Sequence, residues 1–235
     1  MNHLTDCDIR LLAFDADDTL WDCQGHFNDV EDSYCRLLSR YGGKQEIAAS
    51  LFSTETSNMA LLGYGSKAFT ISLIENAIKI SGGKVDSATI TQIINLGKSL
   101  LNMPATPLPG VEQTLKALRD YGRYTMVVFT KGDNLDQENK FKRSGLSAFF
   151  DDCIVVADKT AHEYKHLCQL FNININQLCM VGNSFKSDIL PVLNLGGYAI
   201  HVPYELQWEM EKAEENGCFP RLLRAKSFSD ITDLI

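Results

Sequence analysis

The rhythm of hydrophobic and polar positions changes twice along the chain. Ile9 to Phe14 is an apolar run broken only by Arg10, and it stops at Asp15-Ala16-Asp17-Asp18-Thr19, three carboxylates within four residues. A short apolar run with such a polar end reads as a buried strand. From Cys23 to about Pro104 the spacing turns helical. Phe27, Val30, Tyr34, Leu37 and Leu38 recur at intervals of three and four, as on the inward face of a helix. Tyr41-Gly42-Gly43 ends that helix, and a second runs from about Lys44 to Leu62, stopping at Gly63-Tyr64-Gly65. A third, from Ser66 to Ile80, carries Phe69, Leu73, Ile74, Ala77 and Ile78 on one face. A fourth, from about Asp86 to Asn102, carries Ile90, Ile93, Ile94 and Leu101. Four unequal helices joined by glycine-containing turns predict a compact bundle, not a repeat array.

Three prolines and a glycine between Pro104 and Gly110 mark a boundary, and beyond it strands and helices alternate. Helices are expected over residues 111–121, 134–143, 160–171 and 187–195. Strands are expected over Tyr124–Thr130, Cys153–Ala157, Leu178–Val181 and Tyr198–Val202. This alternation predicts a parallel sheet covered on both faces. The first strand belongs to that sheet. The expected architecture is therefore a doubly wound α/β core, residues 1–22 and 105–235, with an all-helical cap, residues 23–104, inserted after the first strand. Residues 205–216 read as an amphipathic helix carrying Trp208, and residues 228–235 as a last helix capped by Ser229 or Asp230.

Composition narrows the function classes. With 235 residues, 45% of them hydrophobic, the chain can bury a substantial core. A net charge of −8 argues against non-specific binding to nucleic acid or an anionic membrane. It still admits a small anionic substrate, because a few local cations and a metal reverse the field within one pocket. No apolar run approaches the roughly 18 residues of a membrane span, and the start, MNHLTDCDIR, lacks a basic-then-apolar signal. The seven cysteines are odd in number and form no CxxC pair; Cys153 and Cys179 fall in strand-like runs. They read as buried free thiols of a reducing compartment, so the expected location is the cytoplasm.

Chemistry in such a sheet gathers where strands end. The first strand ends at Asp15-Ala16-Asp17, the second at Thr130-Lys131-Gly132-Asp133; Lys159 follows the third, and Gly182-Asn183-Ser184 with Asp188 follows the fourth. Converged on one edge, these residues suit a divalent metal and a phosphoryl group. Asp15 and an oxygen from the fourth loop can hold a hard cation such as Mg²⁺. Asp15 can attack phosphorus to form an aspartyl-phosphate, and Asp17 can serve as general acid and base. Thr130 and nearby backbone N–H groups, that of Lys131 included, can hold phosphoryl oxygens. Lys159 can neutralise developing charge. Asp18 reads as structural and Lys165 as solvated. His162 and His166 read as surface residues; His26, where the chain enters the cap, reads as a surface or capping residue, with facing the substrate as the alternative. Trp21 reads as packing in the flap or against the cap.

These residues carry a resemblance. Phe14-Asp15-Ala16-Asp17-Asp18-Thr19-Leu20 is similar to the first motif of the haloacid dehalogenase superfamily, an apolar strand followed by Asp-x-Asp-x-Thr. Val127-Val128-Phe129-Thr130 resembles the second motif, Asp158-Lys159-Thr160 the third, and Gly182-Asn183-Ser184-Phe185-Lys186-Ser187-Asp188 the fourth. The helical insertion resembles the superfamily's type 1 cap, and Leu108-Pro109-Gly110-Val111 resembles its return to the core. The resemblance implies a Mg²⁺-dependent phosphatase with Asp15 as nucleophile and Asp17 as acid/base. The Asp17 backbone carbonyl would also sit on the metal, beside Asp15, Asn183 and Asp188. Thr130 and Lys159 would hold phosphate. The substrate implied is a small phosphorylated metabolite, and the wording of motifs one and four resembles nucleotidases and phosphoglycolate-phosphatase-like members. Asn183 departs from the usual acid, which lowers the charge offered to a metal. A 2-haloacid dehalogenase, a sugar-phosphate mutase and a non-catalytic phosphate-binding module are the other readings. Asp17 speaks against the dehalogenase, since departing halide needs no proton.

Overall fold

The apolar run near the N-terminus forms β1 (Leu11–Phe14), the central strand of one parallel sheet. β2 (Thr125–Lys131), β3 (Asp152–Val156), β4 (Leu178–Gly182), β5 (Tyr198–His201) and β6 (Leu222–Arg224) complete it in the order β3-β2-β1-β4-β5-β6. The structure is a computed structural model and describes residue 4 and residues 7–206, 208–211 and 217–235. Side chains alternate across the sheet, as the pleat requires. Leu12, Phe14, Met126, Val128, Cys179 and Val181 pack on one face, and Leu11, Ala13, Val127, Phe129, Leu178 and Met180 on the other. Both faces being covered explains why β1, β2 and β4 read as apolar throughout rather than in alternation.

The chain leaves β1 for the four helices of the cap, α1 (Gln24–Leu37), α2 (Lys44–Leu62), α3 (Ser66–Ile80) and α4 (Ser87–Leu100). The cap has its own apolar cluster, including Tyr34, Leu38, Leu51, Leu73 and Ile93. Tyr34 is fully buried and its hydroxyl is satisfied on both sides. It donates to Leu73 O (3.0 Å) and accepts from Asn76 Nδ2 (2.8 Å). Back in the core, the sheet is covered by α5 (Val111–Tyr121), α6 (Asn134–Arg143), α7 (Ala161–Leu170), α8 (Leu190–Leu195) and α9 (Ile231–Leu234).

Several expectations need correcting. Ile78, placed on the inward face of α3, is half exposed. The helix expected over residues 205–216 is only a helical turn, Glu209–Glu211, among the described residues; residues 207 and 212–216 lie outside them. β6 was unforeseen because three residues carry no periodicity. The last helix, α9, starts from Asp230 as its N-cap residue, one of the two expected, and not from Ser229; Ser227 caps the turn Phe228–Asp230 before it, through reciprocal bonds with Asp230. No helix among the described residues is long and apolar enough to cross a membrane. All seven cysteines are free thiols; Cys179 is buried in β4, whereas Cys153 on the edge strand β3 is only partly covered.

The helix expected from Ser187 begins instead as a π-turn over Phe185–Ile189, followed by α8. Pro191 has no N–H to give to the carbonyl four residues back, that of Ser187. The buried hydroxyl of Tyr164 on α7 takes that place, donating towards Ser187 O (3.0 Å) and Asp188 O (3.2 Å). The wider turn swings the Asp188 side chain back over the end of β4, where Gly182 makes room for it. A methyl group on Gly182 would overlap the Asp188 carboxylate, with its carbon 2.7 Å from Asp188 Cβ. Gly182→Ala is therefore expected to lose about 1–3 kcal/mol of stability by overpacking, read as a lower urea midpoint at unchanged slope.

Candidate active site

Asp15 is the first residue beyond β1, and its N–H still donates to Val181 O of β4 (2.8 Å). The ladder thus extends one residue and aims the carboxylate over the C-terminal edge, beside the point where strand order reverses. Lys159, in the loop after β3, reaches the same place. Its ammonium bonds Asp15 Oδ1 and donates to Asp188 Oδ1 (2.6 Å). Lys159 is 3% exposed and Asp188 is fully buried. Burial alone would discharge Lys159, but the two carboxylates outweigh it and hold its pKa above the usual lysine value. Asp15 feels the opposite balance. Burial first, then the Asp188 carboxylate, push it up to about 7 despite Lys159.

Asp188 is expected from the motif as a metal ligand beside Asn183. Each of its oxygens accepts one hydrogen bond, from Lys159 and from the N–H of Ser184 (2.9 Å). The geometry thus makes Asp188 the anchor of the lysine. Further oxygens that could hold a cation converge around Thr19. The Thr19 hydroxyl donates towards Asp15 Oδ2 (3.0 Å) and Asn183 Oδ1 (3.1 Å), and accepts from the Asn183 N–H (3.1 Å). Among the described residues no group of three His, Cys, Asp or Glu side chains is placed to hold a metal. One carboxylate and one amide oxygen, supplemented by water, nevertheless suit a hard cation that keeps much of its hydration, as Mg²⁺ does.

Asp17 is clamped from three sides. Lys140 Nζ donates to both of its oxygens (2.7 Å each), Gln137 Nε2 to Oδ2 (2.8 Å) and the indole of Trp21 to Oδ1 (2.8 Å). Burial works to raise the Asp17 pKa, but the Lys140 ammonium, aided by the other two donors, overrides it and holds the carboxyl below its usual range. Asp17 is therefore ionised in this arrangement. Asp18 turns away from the chemistry. It adopts a left-handed backbone (φ 62°), and its carboxylate accepts from the N–H groups of Cys23 and Gln24 (2.8 and 2.9 Å) where the chain enters α1.

Lys131, expected among the phosphate-holding groups, has its ammonium matched. It pairs with Glu211, donates to Ser187 Oγ (2.9 Å) and lies 3.9 Å from the centre of the Tyr64 ring. Glu211 also accepts from the hydroxyls of Ser184 and Ser187. Tyr64 reaches this point because Gly63 and Gly65 take positive φ (69° and 109°) around it. Ser66 and Lys67 then dock the start of α3 onto α6, through Asp136 (2.9 Å) and Asp133 (2.9 Å). The cap thereby covers a cavity of about 180 Å³.

All seven residues singled out from the sequence, Asp15, Asp17, Thr130, Lys131, Lys159, Asn183 and Asp188, line this one cavity. Sequence reasoning missed Gln137, Lys140, Ser187 and Glu211. Gln137 and Lys140 had a signal: they lie three apart on a helix that starts just after Thr130-Lys131, so they share the face turned to the strand ends. Glu211 had none. His162, His166 and Lys165 are exposed, as expected. Trp21 is fully buried and is a partner of Asp17 as well as a packing residue.

Lys140→Met removes the charged partner from the Asp17 clamp. Two neutral donors remain and the Asp17 side chain is 25% exposed, so the expected stability loss is about 2 kcal/mol, below that of a fully buried pair. Because the folded pKa of Asp17 is depressed, the difference from wild type should be fully present above about pH 4 and fade as pH falls through that depressed pKa. Urea unfolding of both proteins across that range checks it; a difference independent of pH contradicts the clamp.

Comparison with known proteins identifies the family. The haloacid dehalogenase-like hydrolase family matches residues 9–196. A glyceraldehyde 3-phosphate phosphatase from Methanothermobacter thermautotrophicus is 33% identical over 119 residues; the match spans 47% of this chain and only about half (51%) of that protein. An N-acylneuraminate-9-phosphatase from Rattus norvegicus is 25% identical over 199 residues, 80% of this chain and 79% of that one. Among solved structures, a haloacid dehalogenase-like family hydrolase from Xanthomonas campestris superposes with a TM-score of 0.86 at 31% identity, covering 97% of this chain and 91% of its own. With the family matched over most of the chain, the protein belongs to the haloacid dehalogenase-like hydrolases.

Proposed function

We propose that the site hydrolyses a small phosphomonoester through a covalent intermediate on Asp15. The observation that carries this reading is the buried Asp15–Lys159–Asp188 chain opening into a cavity closed by the cap. One Asp15 oxygen attacks phosphorus, the ester P–O bond breaks, and the departing alkoxide takes a proton from Asp17. Water then attacks phosphorus of the aspartyl-phosphate and gives its proton to Asp17. Phosphate leaves and the Asp15 carboxylate is restored. Lys159 faces the charge that develops on the phosphoryl oxygens, and Thr130 lines the same floor. The ionised, Lys140-bound state of Asp17 suits the second step. The first needs a protonated Asp17, and the clamp opposes that state.

Asp15, the Asp17 backbone carbonyl, Asn183 and Asp188 would hold Mg²⁺. When bound, the ion would cancel repulsion between the nucleophile and the phosphoryl group. The names of the relatives, both phosphatases, support a phosphate ester as substrate, and the free thiols suit the cytoplasm. A nucleotide or phosphoglycolate remains the finer expectation from the motifs.

With p-nitrophenyl phosphate and Mg²⁺, wild type should turn over and Asp15→Asn should lose at least about 10³-fold in kcat. Asp17→Asn should release one equivalent of nitrophenolate in a burst and then stall, because this leaving group needs no proton whereas the hydrolytic water does. Asn183→Asp should lower the Mg²⁺ concentration needed for half-maximal rate by about tenfold, since it adds a charged ligand. Turnover unaffected by Asp15→Asn refutes the mechanism, and chloride release from a 2-haloacid without metal would favour the dehalogenase. Transfer of the phosphoryl group back to a sugar would indicate the mutase.

A further inference from the structure

The cap side of the cavity carries hydrogen-bond acceptors, and the Asn58, Ser66 and Ser72 donors that share it are already spent. Glu31 on α1 and Glu55 on α2 both line it. Neither forms a hydrogen bond or an ion pair among the described residues. Asn58, beside them, gives one amide hydrogen to Ser72 Oγ (3.1 Å) and the other to Glu75 (2.8 Å), so its free atom is the carbonyl oxygen. The Ser72 hydroxyl donates to Ala68 O (3.1 Å), and the Ser66 hydroxyl is given to Asp136 (2.9 Å). On the core side, two residues lining the same cavity are more than nine-tenths buried and each keeps an acceptor without a partner, Asp136 Oδ1 and Gln137 Oε1. The ammonium groups at the floor are matched by carboxylates of their own: Lys131 by Glu211, Lys140 by Asp17, Lys159 by Asp15 and Asp188.

Resting on the phosphomonoester reading above, we propose that this wall selects an alcohol that donates hydrogen bonds, one bearing an amine or several hydroxyls, and rejects an alcohol bearing a carboxylate or a second phosphate. An ammonium or hydroxyl entering beside Glu31 and Glu55 meets acceptors that have no other partner. A carboxylate there meets like charge and, among the described residues that line the cavity, no free cation. Selection of this kind rests as much on the repulsive element as on the attractive one. Burial and the Glu31 carboxylate push Glu55 up to about 7, as befits a carboxyl without a counter-charge. The two finer expectations drawn from the motifs part company at this wall. A nucleoside can offer hydroxyl and amine donors, whereas glycolate offers a carboxylate.

The test compares esters matched in size: phosphoethanolamine with phosphoglycolate, and glucosamine 6-phosphate with 6-phosphogluconate, with p-nitrophenyl phosphate as the reference ester. In wild type, kcat/KM should favour the amine member of each pair by about tenfold or more. In Glu31→Gln/Glu55→Gln that ratio should fall towards one; Glu55→Gln alone carries the test if the double variant does not fold. Calorimetry on Asp15→Asn should give the same order of affinities without turnover. A preference for the carboxylate members, or a ratio that the Gln variants leave unmoved, overturns the inference while p-nitrophenyl phosphate turnover keeps the phosphatase reading. Failure to hydrolyse any ester, with the amine members still bound more tightly, overturns the phosphatase reading and leaves the selectivity of the wall standing.

Discussion

The site depends on one buried ammonium. Lys159 sits between Asp15 and Asp188 with almost no access to water. An ion so placed costs several kcal/mol in lost hydration unless its partners are held in good geometry. Much of the local structure serves that requirement. Gly182 leaves space for Asp188, the π-turn before α8 swings it over β4, and Tyr164 satisfies the carbonyls that the turn frees. The Ser184 N–H fixes the second Asp188 oxygen, so only the first points at the lysine. Asp15 is in turn tied to the sheet through its own N–H and to Thr19 through its side chain.

Two further pairs surround the first. Asp17 with Lys140 and Glu211 with Lys131 place, together with Asp15 and Asp188, four carboxylates against three ammonium groups at one cavity floor. A phosphoryl dianion adds to the surplus of negative charge. That imbalance is the physical argument for a divalent cation, and Asn183 in place of an acid keeps the surplus from being larger. The pairing also gives the two motif-one acids different characters. Asp15 is pushed up by burial and by Asp188, whereas Asp17 is held down by Lys140. The cap residues that line the cavity add acceptors but, among the described residues, no cation, so charge selection extends from the phosphoryl end of the cavity to the leaving group.

Much of this was legible in the residue pattern because the signals were local. β1, β2 and β4 are buried on both faces and announce themselves as apolar runs, and the polar residues that terminate them are the site. Cap helices showed their inward faces at Tyr34, Leu73 and Ile93, although Ile78 shows that an apolar residue need not face inward. Other features depended on distance in the fold. Lys140 looks like any helical lysine until α6 is laid beside Asp17. Glu211 comes from a segment with weak periodicity, and only tertiary folding brings it to Ser184 and Ser187. Asp188 was found in the right place, but its bond to Lys159 was not, because the π-turn before Pro191 is invisible to a helical count.

The central claim is that Asp15 forms the covalent bond to phosphorus. The most direct measurement mixes the protein with a phosphomonoester and Mg²⁺, quenches with acid within one turnover, and examines the peptides by mass spectrometry. The account predicts a peptide spanning Asp15 heavier by one phosphoryl group, with the label removed by hydroxylamine as an acyl phosphate must be. A label on any other residue, or full turnover with Asp15 never modified, would contradict it.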